Sequence, residues 1–505
     1  MFVRQKRNKS GIVSVQIIDK SSGKYSLFQT IGSSLNKKEI DLLVKKGNDI
    51  IQKISGQQHF NFDKQQEEQL VDLFFNGIRA LRLVGPELLL GRLFDEIGFN
   101  IIEDNLFRHL VITRLCYPVS KLKTTDYLFK YQGLTIDVDN IYRYLDKLQI
   151  QQKQIVQQIS YSHTLKVLNN ELNLVFYDVT TLYFEAEQED DLRKTGFSKD
   201  GKHQHPQIVL GLLVSVGGYP LAYEIFEGNK FEGHTMLPVI EVFKKRYQLQ
   251  NLVVIADAGL MSTANITELQ TNNYQYIIGA RIKNESKIIQ QQILSQQLKN
   301  GESIAISKDT NTKIIISYSQ ARAKKDAHNR KRGLEKLEKS IAKGKLTKQN
   351  INNRGYNKYL KLEGDVKISI DKQKYLDDAK WDGLKGYTTN TGLSAEDIIN
   401  NYKHLWQIEK AFRISKTDLR IRPIYHRLKH RIEAHICISF CAYKIYKELE
   451  RQLNIKKAEI SPEKAIDIAK TIYEITIQTQ LSNTLHSRLY IDKEEQKLLI
   501  KLFDL

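Results

Sequence analysis

The sequence predicts an α/β protein: a mixed β-sheet in the middle of the chain, with helical regions on either side. Apolar runs at Leu172–Tyr177, Ile208–Val216, Leu221–Phe226, Leu252–Ala256 and Tyr276–Ile278 read as strands, and Gly217-Gly218 as a tight turn between the second and third. Helical patterns at Met236–Tyr247 and Thr263–Thr271 separate the later strands, so hairpin order gives way to strand–helix alternation. Helical spacing dominates before residue 170 and returns after residue 395.

Taken in order, residues 1–66 form a small hairpin-and-helix module. Val13, Val15 and Ile17, then Tyr25 and Leu27, alternate around Ser21-Ser22-Gly23, and Lys37 to Ile54 follows helical spacing. Residues 67–170 are almost wholly helical in pattern and are expected as a helical DNA-binding region. Ser120–Tyr131 and Val138–Leu148 form a helix pair joined by Gln132-Gly133-Leu134-Thr135, and the second carries Tyr142, Arg143, Tyr144 and Lys147. That is either an ordinary helical hairpin or a helix-turn-helix that offers Arg143 and Lys147 to DNA. Residues 171–280 hold the first part of the sheet. Residues 281–395 interrupt it with strand-like runs (Ile304–Ile306, Ile314–Tyr318, Val366–Ile370) around a basic segment. Residues 396–445 return to the core with a helix, and 446–505 are helical.

Charge supplies the first functional indication. The 505-residue chain has 77 Lys and Arg against 58 Asp and Glu, a net charge of +19. Such a field attracts polyanions, nucleic acid foremost; a lysine-rich coding bias would give the same number. Between Tyr318 and Lys361, fourteen Lys/Arg face three Asp/Glu. This run is either a solvated arm or a surface that tracks phosphates. With no run of eighteen apolar residues, no spanning segment is expected. The basic start lacks the apolar core of a secretion signal. Cys116, Cys437 and Cys441 are too few and scattered for a disulfide framework or zinc ribbon and are expected as buried thiols, so a reducing, cytoplasmic setting is expected.

Two carboxylates follow apolar strands: Asp178 after Leu-Val-Phe-Tyr, and Asp257 after Leu-Val-Val-Ile-Ala. Singly, such an Asp is a cap or turn former; on two neighbouring strands the pair suggests a metal site at the rim of the sheet. A third acid, Glu409, lies on a helical stretch with Tyr402 and Lys416, each seven residues apart and so on one stripe. By itself this stripe equals a solvated face with a weak charge pair.

The spacing of Tyr402, position 405, Glu409 and Lys416 resembles the Y-R-E-K signature of a group of DDE insertion-element transposases. Tyr177-Asp178-Val-Thr-Thr-Leu-Tyr-Phe-Glu resembles the first-Asp motif of these enzymes. Val254-Ile-Ala-Asp257-Ala-Gly-Leu resembles the second. Pro206-Gln-Ile-Val-Leu-Gly-Leu, Tyr219-Pro-Leu and Gly228-Asn229 are similar to the intervening hairpin and its exit. Arg422-Pro-Ile-Tyr425-His426 and Arg431-Ile-Glu-Ala-His435 are similar to the segment after the Glu. The likeness covers roughly residues 170–445. It departs at Leu405, where the signature has an Arg associated with DNA-end contacts; Lys403, Lys410 or Arg413 are the candidates to supply that contact.

The resemblance implies an RNase H-like catalytic core with a β-rich insertion between the second Asp and the Glu, where 281–395 sits. It implies that Asp178, Asp257 and Glu409 are the catalytic residues and hold two Mg²⁺ ions, with Mn²⁺ as a possible substitute. Tyr402, Lys416, Arg413 and Lys410 become candidate DNA contacts. The implied partners are double-stranded DNA, as terminal inverted repeats and as target, and a second copy of the chain in a synaptic dimer. The implied location is the cytoplasm, at the nucleoid. The alternatives are a nuclease of the same fold without strand transfer and a catalytically idle DNA-binding derivative; a two-carboxylate glycosidase leaves the charge unexplained. His203 and His205 lack further zinc ligands and are expected at the surface or facing DNA. The acidic loop Glu185, Glu187, Glu189, Asp190 and Asp191 is expected to be solvated. Trp406 is expected in the core, and Trp381 is a candidate to stack on a displaced base.

Overall fold

The computed structural model describes the whole chain except residues 22, 56–63, 149, 187, 199–200, 250–251, 261, 353–354, 364–366, 423 and 480–481. Ser22, Glu187, Val366 and Pro423, all named in the sequence reading, therefore lie outside the described residues. The chain divides into two compact units, Met1–Ala80 with Thr476–Ser487, and Leu81–Ile475 with Arg488–Leu505.

The first unit is a three-stranded antiparallel sheet of β1 (Phe2–Arg7), β2 (Val13–Asp19) and β3 (Ser26–Ser34), with the helix α1 (Lys37–Ser55) against it. Val15, Ile17 and Ile18 of the central strand are buried, with Ile40 of the helix. The expected hairpin gains a strand because the basic start of the chain pairs along β2 from Phe2 to Arg7. A helix α2 (Lys64–Gly77) follows.

Two expectations of purely helical sequence need correction. A strand β4 (Ile78–Leu83) interrupts the stretch before residue 170, and the C-terminal region contains strands at Tyr473–Gln478 and Leu485–Tyr490. Each is a short β-branched or alternating segment, too short for apolar spacing to distinguish from helix.

In the second unit, the helices α3 (Arg92–Ile97), α4 (Asn105–Cys116), α5 (Lys121–Tyr127), α6 (Val138–Lys147) and α7 (Ile150–Val167) precede the sheet. The sheet begins with β5 (Leu174–Tyr183), β6 (Gln207–Ser215) and β7 (Pro220–Glu227), an antiparallel meander. The chain then crosses by α8 (Met236–Tyr247) to β8 (Val253–Ala256) and by α9 (Thr263–Thr271) to β9 (Gln275–Ala280). β8 runs parallel to β5, and β9 parallel to β8. The resulting order β7-β6-β5-β8-β9, with β6 alone reversed among them, is that of an RNase H-like core.

The insertion extends this same sheet. After α10 (Lys287–Leu294) come β10 (Ser303–Ser307), β11 (Lys313–Tyr318), the helix α11 (Gln320–Ala342), the hairpin β12 (Leu360–Glu363) and β13 (Lys367–Ile370), α12 (Lys372–Ala379) and β14 (Leu384–Thr389). β14 pairs antiparallel with β9, and β11 and β10 follow it, giving one eight-stranded sheet. The helices α13 (Ala395–Lys403), α14 (Trp406–Thr417) and α15 (Lys429–Ile455) complete the core.

Alternation along β5 and β8 assigns the two faces. Val175, Tyr177 and Val254 pack with α8 on one face, and Phe176 and Ile255 pack with α14 and α15 on the other. α15 is buried along most of its length, and its thiols Cys437 and Cys441 are free and buried, as is Cys116. Among the described residues no helix is long and apolar enough to cross a membrane.

Candidate active site

Asp178 and Asp257 meet through strand register. β5 and β8 pair with Tyr177 opposite Ala256, so the next residue on each strand is one of the two acids. Neighbouring strands lie about 4.8 Å apart. By alternation both side chains fall on the face of Phe176 and Ile255, the one α14 covers. This is also where the sheet order reverses, since β6 leaves β5 on one side and β8 lies on the other. Crevices at the carboxyl ends of parallel strands open at such points. The expected strand end at Asp178 is wrong: β5 continues to Tyr183 because Val179–Tyr183, rich in β-branched residues, pairs fully with β6. Asp178 is therefore partly buried within a strand, whereas Asp257 is exposed just past one.

Local hydrogen bonds set both carboxylates. Asp178 Oδ1 accepts from the Val179 amide at 2.8 Å, and Asp257 Oδ1 from the Ala258 amide at 2.7 Å. The Tyr402 hydroxyl also donates to Asp257 Oδ1, at 3.2 Å. That reach depends on Gly279 of β9: a Cβ there would lie 2.5 Å from the Tyr402 hydroxyl oxygen. Burial, reinforced by the charge of Asp257, raises the Tyr402 phenol well above its ordinary value, so it acts as a donor.

Tyr402 and Glu409 do not share one continuous helix. α13 ends at Lys403 and α14 starts at Trp406; between them Leu405 and Ile408 donate three residues back, to the Tyr402 and Leu405 carbonyls, which tightens the turn. Leu405 is buried in the core, where an Arg would bury a charge. Glu409 is exposed on α14. Its field reaches Lys385 of β14, whose ammonium lies 4.5 Å from the centre of the Tyr402 ring. Burial and then Arg322 lower the Lys385 pKa, while Asp257 and Glu409 oppose the shift. Lys385 and Arg322 escaped the sequence reading, since nothing in the chain marks a strand in the insertion as the neighbour of Asp257.

A cleft of about 770 Å³ runs from Asp257 and Tyr402 past Lys385 to Arg322, Arg330 and Trp381. Arg330 is engaged by Asp382, but Lys324, Lys325, Lys331 and Arg332 of α11 are exposed. Trp381 is partly buried at the cleft wall.

Several candidate DNA contacts are occupied otherwise. Tyr402 is buried and spends its hydroxyl on Asp257. The Lys410 ammonium pairs with Glu450, which also holds Lys447. Arg413 is exposed, and Lys416 is partly buried near the end of α14. Arg143 and Lys147 are exposed on α6, where Arg143 binds Asn140, while the same helix packs on α15 through Asp146–Arg431 and Tyr142. Trp406 is not in the core: it is 50% exposed, because α14 turns Ile408, Ala411 and Phe412 inward and leaves its first residue outside. His203 is exposed. In the acidic loop, Asp190 pairs with Arg193 and Glu189 caps the Thr195 amide.

Carboxylate oxygens are the donors that hard divalent cations take, and Asp178 and Asp257 in register fit such an ion. Among the described residues no three His, Cys, Asp or Glu side chains stand close enough to ligate one metal. The backbone register thus joins Asp178 and Asp257, while Glu409 bears on Tyr402 and Lys385 through its charge.

Residues 170–445, more than half of the chain, match the family model described as Transposase DDE domain. The chain belongs to this transposase family. A curated relative, the transposase for insertion sequence element IS231E of Bacillus thuringiensis subsp. finitimus, is 31% identical over 131 residues, which is 24% of this chain. The match spans about a quarter of that relative's length (26%). Among solved structures, the piggyBac transposase synaptic complex with hairpin DNA aligns over 77% of this chain and 79% of its own, at 9% identity and a TM-score of 0.39. The Mos1 transposase paired-end complex with left transposon end aligns over 46% and 66%, at 12% identity and a TM-score of 0.16.

Proposed function

We propose that this transposase binds the terminal inverted repeats of an insertion element, cleaves at the ends and transfers the 3′ ends to target DNA, as a dimer in the synaptic complex. The register of Asp178 with Asp257, inside the stretch that matches the family, carries the reading. Asp178, Asp257 and Glu409 would hold two Mg²⁺ ions, replaceable by Mn²⁺. Bound there, such ions supply Lewis acidity that activates a water or 3′-hydroxyl and stabilises the leaving oxygen.

The chain's own residues do the rest. Tyr402 fixes the orientation of Asp257, Gly279 leaves space for that contact, and Lys385 sets a positive charge beside the carboxylates. Exposed cations of α11 flank the cleft on other faces of that helix, where they neutralise backbone phosphates and hold the duplex in register. Lys416, Arg413, Arg143 and Lys147 are proposed phosphate contacts.

The test incubates the protein with end DNA taken from beside its own gene, with Mg²⁺, and scores nicking and joining. Asp178→Asn, Asp257→Asn and Glu409→Gln each keep the shape of the side chain and remove its charge. Each is expected to abolish cleavage while leaving end binding intact, and near-normal cleavage by any one removes that residue from the site. Nicking without joining selects the nuclease reading; binding without nicking selects the idle derivative.

A further inference from the structure

A second basic cavity lies apart from the carboxylates. It measures about 880 Å³ and opens between the α4–α5 region and residues 420–435. Its described lining contains seven Lys or Arg and no Asp or Glu. Two of the cations are nine-tenths buried: Arg114 near the end of α4, at 7% exposure, and Lys121 at the start of α5, at 6%. Among the described residues neither has a hydrogen-bond or ion-pair partner. Burial lowers the Arg114 pKa to about 10, and burial together with Arg114 lowers that of Lys121 well below its ordinary value.

Two buried cations without a counterion are costly to a fold. Both line the cavity, so an anion bound there would offset that cost. A guanidinium fork beside an ammonium suits the oxygens of a phosphate group. The rim adds two features. Arg420 is exposed with φ +45°, a left-handed conformation that strains a non-glycine residue and is typical of functional positions. Tyr425 is 74% exposed and presents an aromatic face at the rim of the cavity.

The cavity also has a definite position relative to the acids. Ile424 bridges Phe184, and its amide donates to the Tyr183 carbonyl at 3.3 Å, which fixes this segment at the end of β5. Phe184 is six residues beyond Asp178, roughly 20 Å along an extended strand and so about six base pairs of DNA.

We propose that this cavity is a phosphate seat for a DNA strand that extends from the carboxylate site, with Arg114 and Lys121 binding a phosphodiester and Tyr425 stacking on an unpaired base. The assignment of DNA as the source of the phosphate rests on the transposase reading; the phosphate chemistry of the seat does not.

The test uses the full chain without metal and measures binding by fluorescence anisotropy to a labelled end duplex with a single-stranded tail, over a range of salt. Lys121→Met removes a buried charge. Arg420→Gly removes a rim charge where glycine adopts the backbone freely, so this variant folds even should the first not. Each is expected to weaken binding about tenfold and to reduce the slope of log affinity against log salt by about one. Without DNA, Lys121→Met is expected to melt at or above the wild-type temperature, whereas a structural lysine would melt lower. Tyr425→Ala is expected to weaken tailed DNA more than blunt duplex. Inorganic phosphate and a deoxynucleoside monophosphate are expected to raise the wild-type melting temperature and not that of Lys121→Met. Unchanged affinity, slope and phosphate response in both charge variants would overturn the proposal. Loss of the phosphate response with DNA binding intact would overturn DNA as the source and assign the seat to a free nucleotide. These readouts involve no cleavage, so they fail or succeed separately from the carboxylate variants.

Discussion

Tyr402→Phe isolates one contact in the candidate active site. The variant removes the hydroxyl that donates to Asp257 at 3.2 Å and keeps the ring, which packs against Tyr387 at 4.8 Å between centroids and beneath Lys385 at 4.5 Å. The bond is long for an O–H···O contact and Asp257 is exposed, so water replaces part of it. A net value of about 1 kcal/mol follows, that of an ordinary hydrogen bond and below the range of about 1.5–3 kcal/mol for a bond to a charged group. Lost orientation of Asp257 should then slow single-turnover cleavage about fivefold, with end affinity and melting temperature unchanged. Gly279→Ala provides the cross-check, because its added carbon would lie 2.5 Å from the same hydroxyl oxygen and displace it. The double variant should cleave no worse than Gly279→Ala alone, since phenylalanine lacks the oxygen that collides. Fully additive losses, or a Tyr402→Phe variant that loses end affinity while cleaving normally once bound, would refute the positioning role and return Tyr402 to the phosphate backbone.

Changing Lys324, Lys325, Lys331 and Arg332 to Gln should flatten the salt dependence of end binding by roughly the number of phosphates that are no longer neutralised; an unchanged slope makes α11 a solvated helix. Lys416→Ala should weaken end-complex formation and slow joining of pre-cut ends, with Lys416→Arg better tolerated, because Lys416 sits two turns and about 10 Å along α14 from Glu409. Wild-type behaviour in both assays removes it from the site. His163 is 8% exposed, and burial followed by Lys444 lowers its pKa to about 4. The unfolded chain takes up this proton near pH 6.5 and the folded chain does not, so stability present above pH 6.5 falls by about 1.4 kcal/mol per unit as the pH drops towards 4. Urea unfolding of His163→Gln between pH 6.5 and 4.5 should show a shallower loss, and an equal loss would mean that the imidazole titrates alike in both states.

The core strands were legible because both of their faces are buried. Leu174–Tyr177 and Ile208–Val214 are apolar without a gap, and only a sheet covered on both sides sustains that. The two Asp residues stood out as breaks in such runs. The continuation of β5 past Asp178 was harder to see, because the acid interrupts the apolar run and only the pairing with β6 joins Val179–Tyr183 to the same strand. The surroundings of Trp406 and Lys410 were hidden for a related reason. Side-chain type suggested core and DNA, but the rotation of α14 decides which residue faces out, and Glu450 on α15 decides what Lys410 meets. Nothing in the spacing singles out Arg114 and Lys121, since burial of a cation leaves no trace there.

Register also explains why the insertion belongs to the chemistry of the site. β14 pairs with β9 so that Gly386 stands opposite Ala280 and Tyr387 opposite Gly279. The same strand therefore lays Lys385 and Tyr387, two apart and on one face, against the Tyr402 ring. Tyr402 is held from the insertion side by those two residues and from the core side by Asp257 and the space above Gly279. A shift of β14 along β9 by one residue would turn both side chains to the opposite face and take the ammonium away from the carboxylates. The basic helix α11 leaves the end of β11, and β11 pairs with β14 along its whole length, so the basic helix is anchored in the same strand pair that steadies Tyr402.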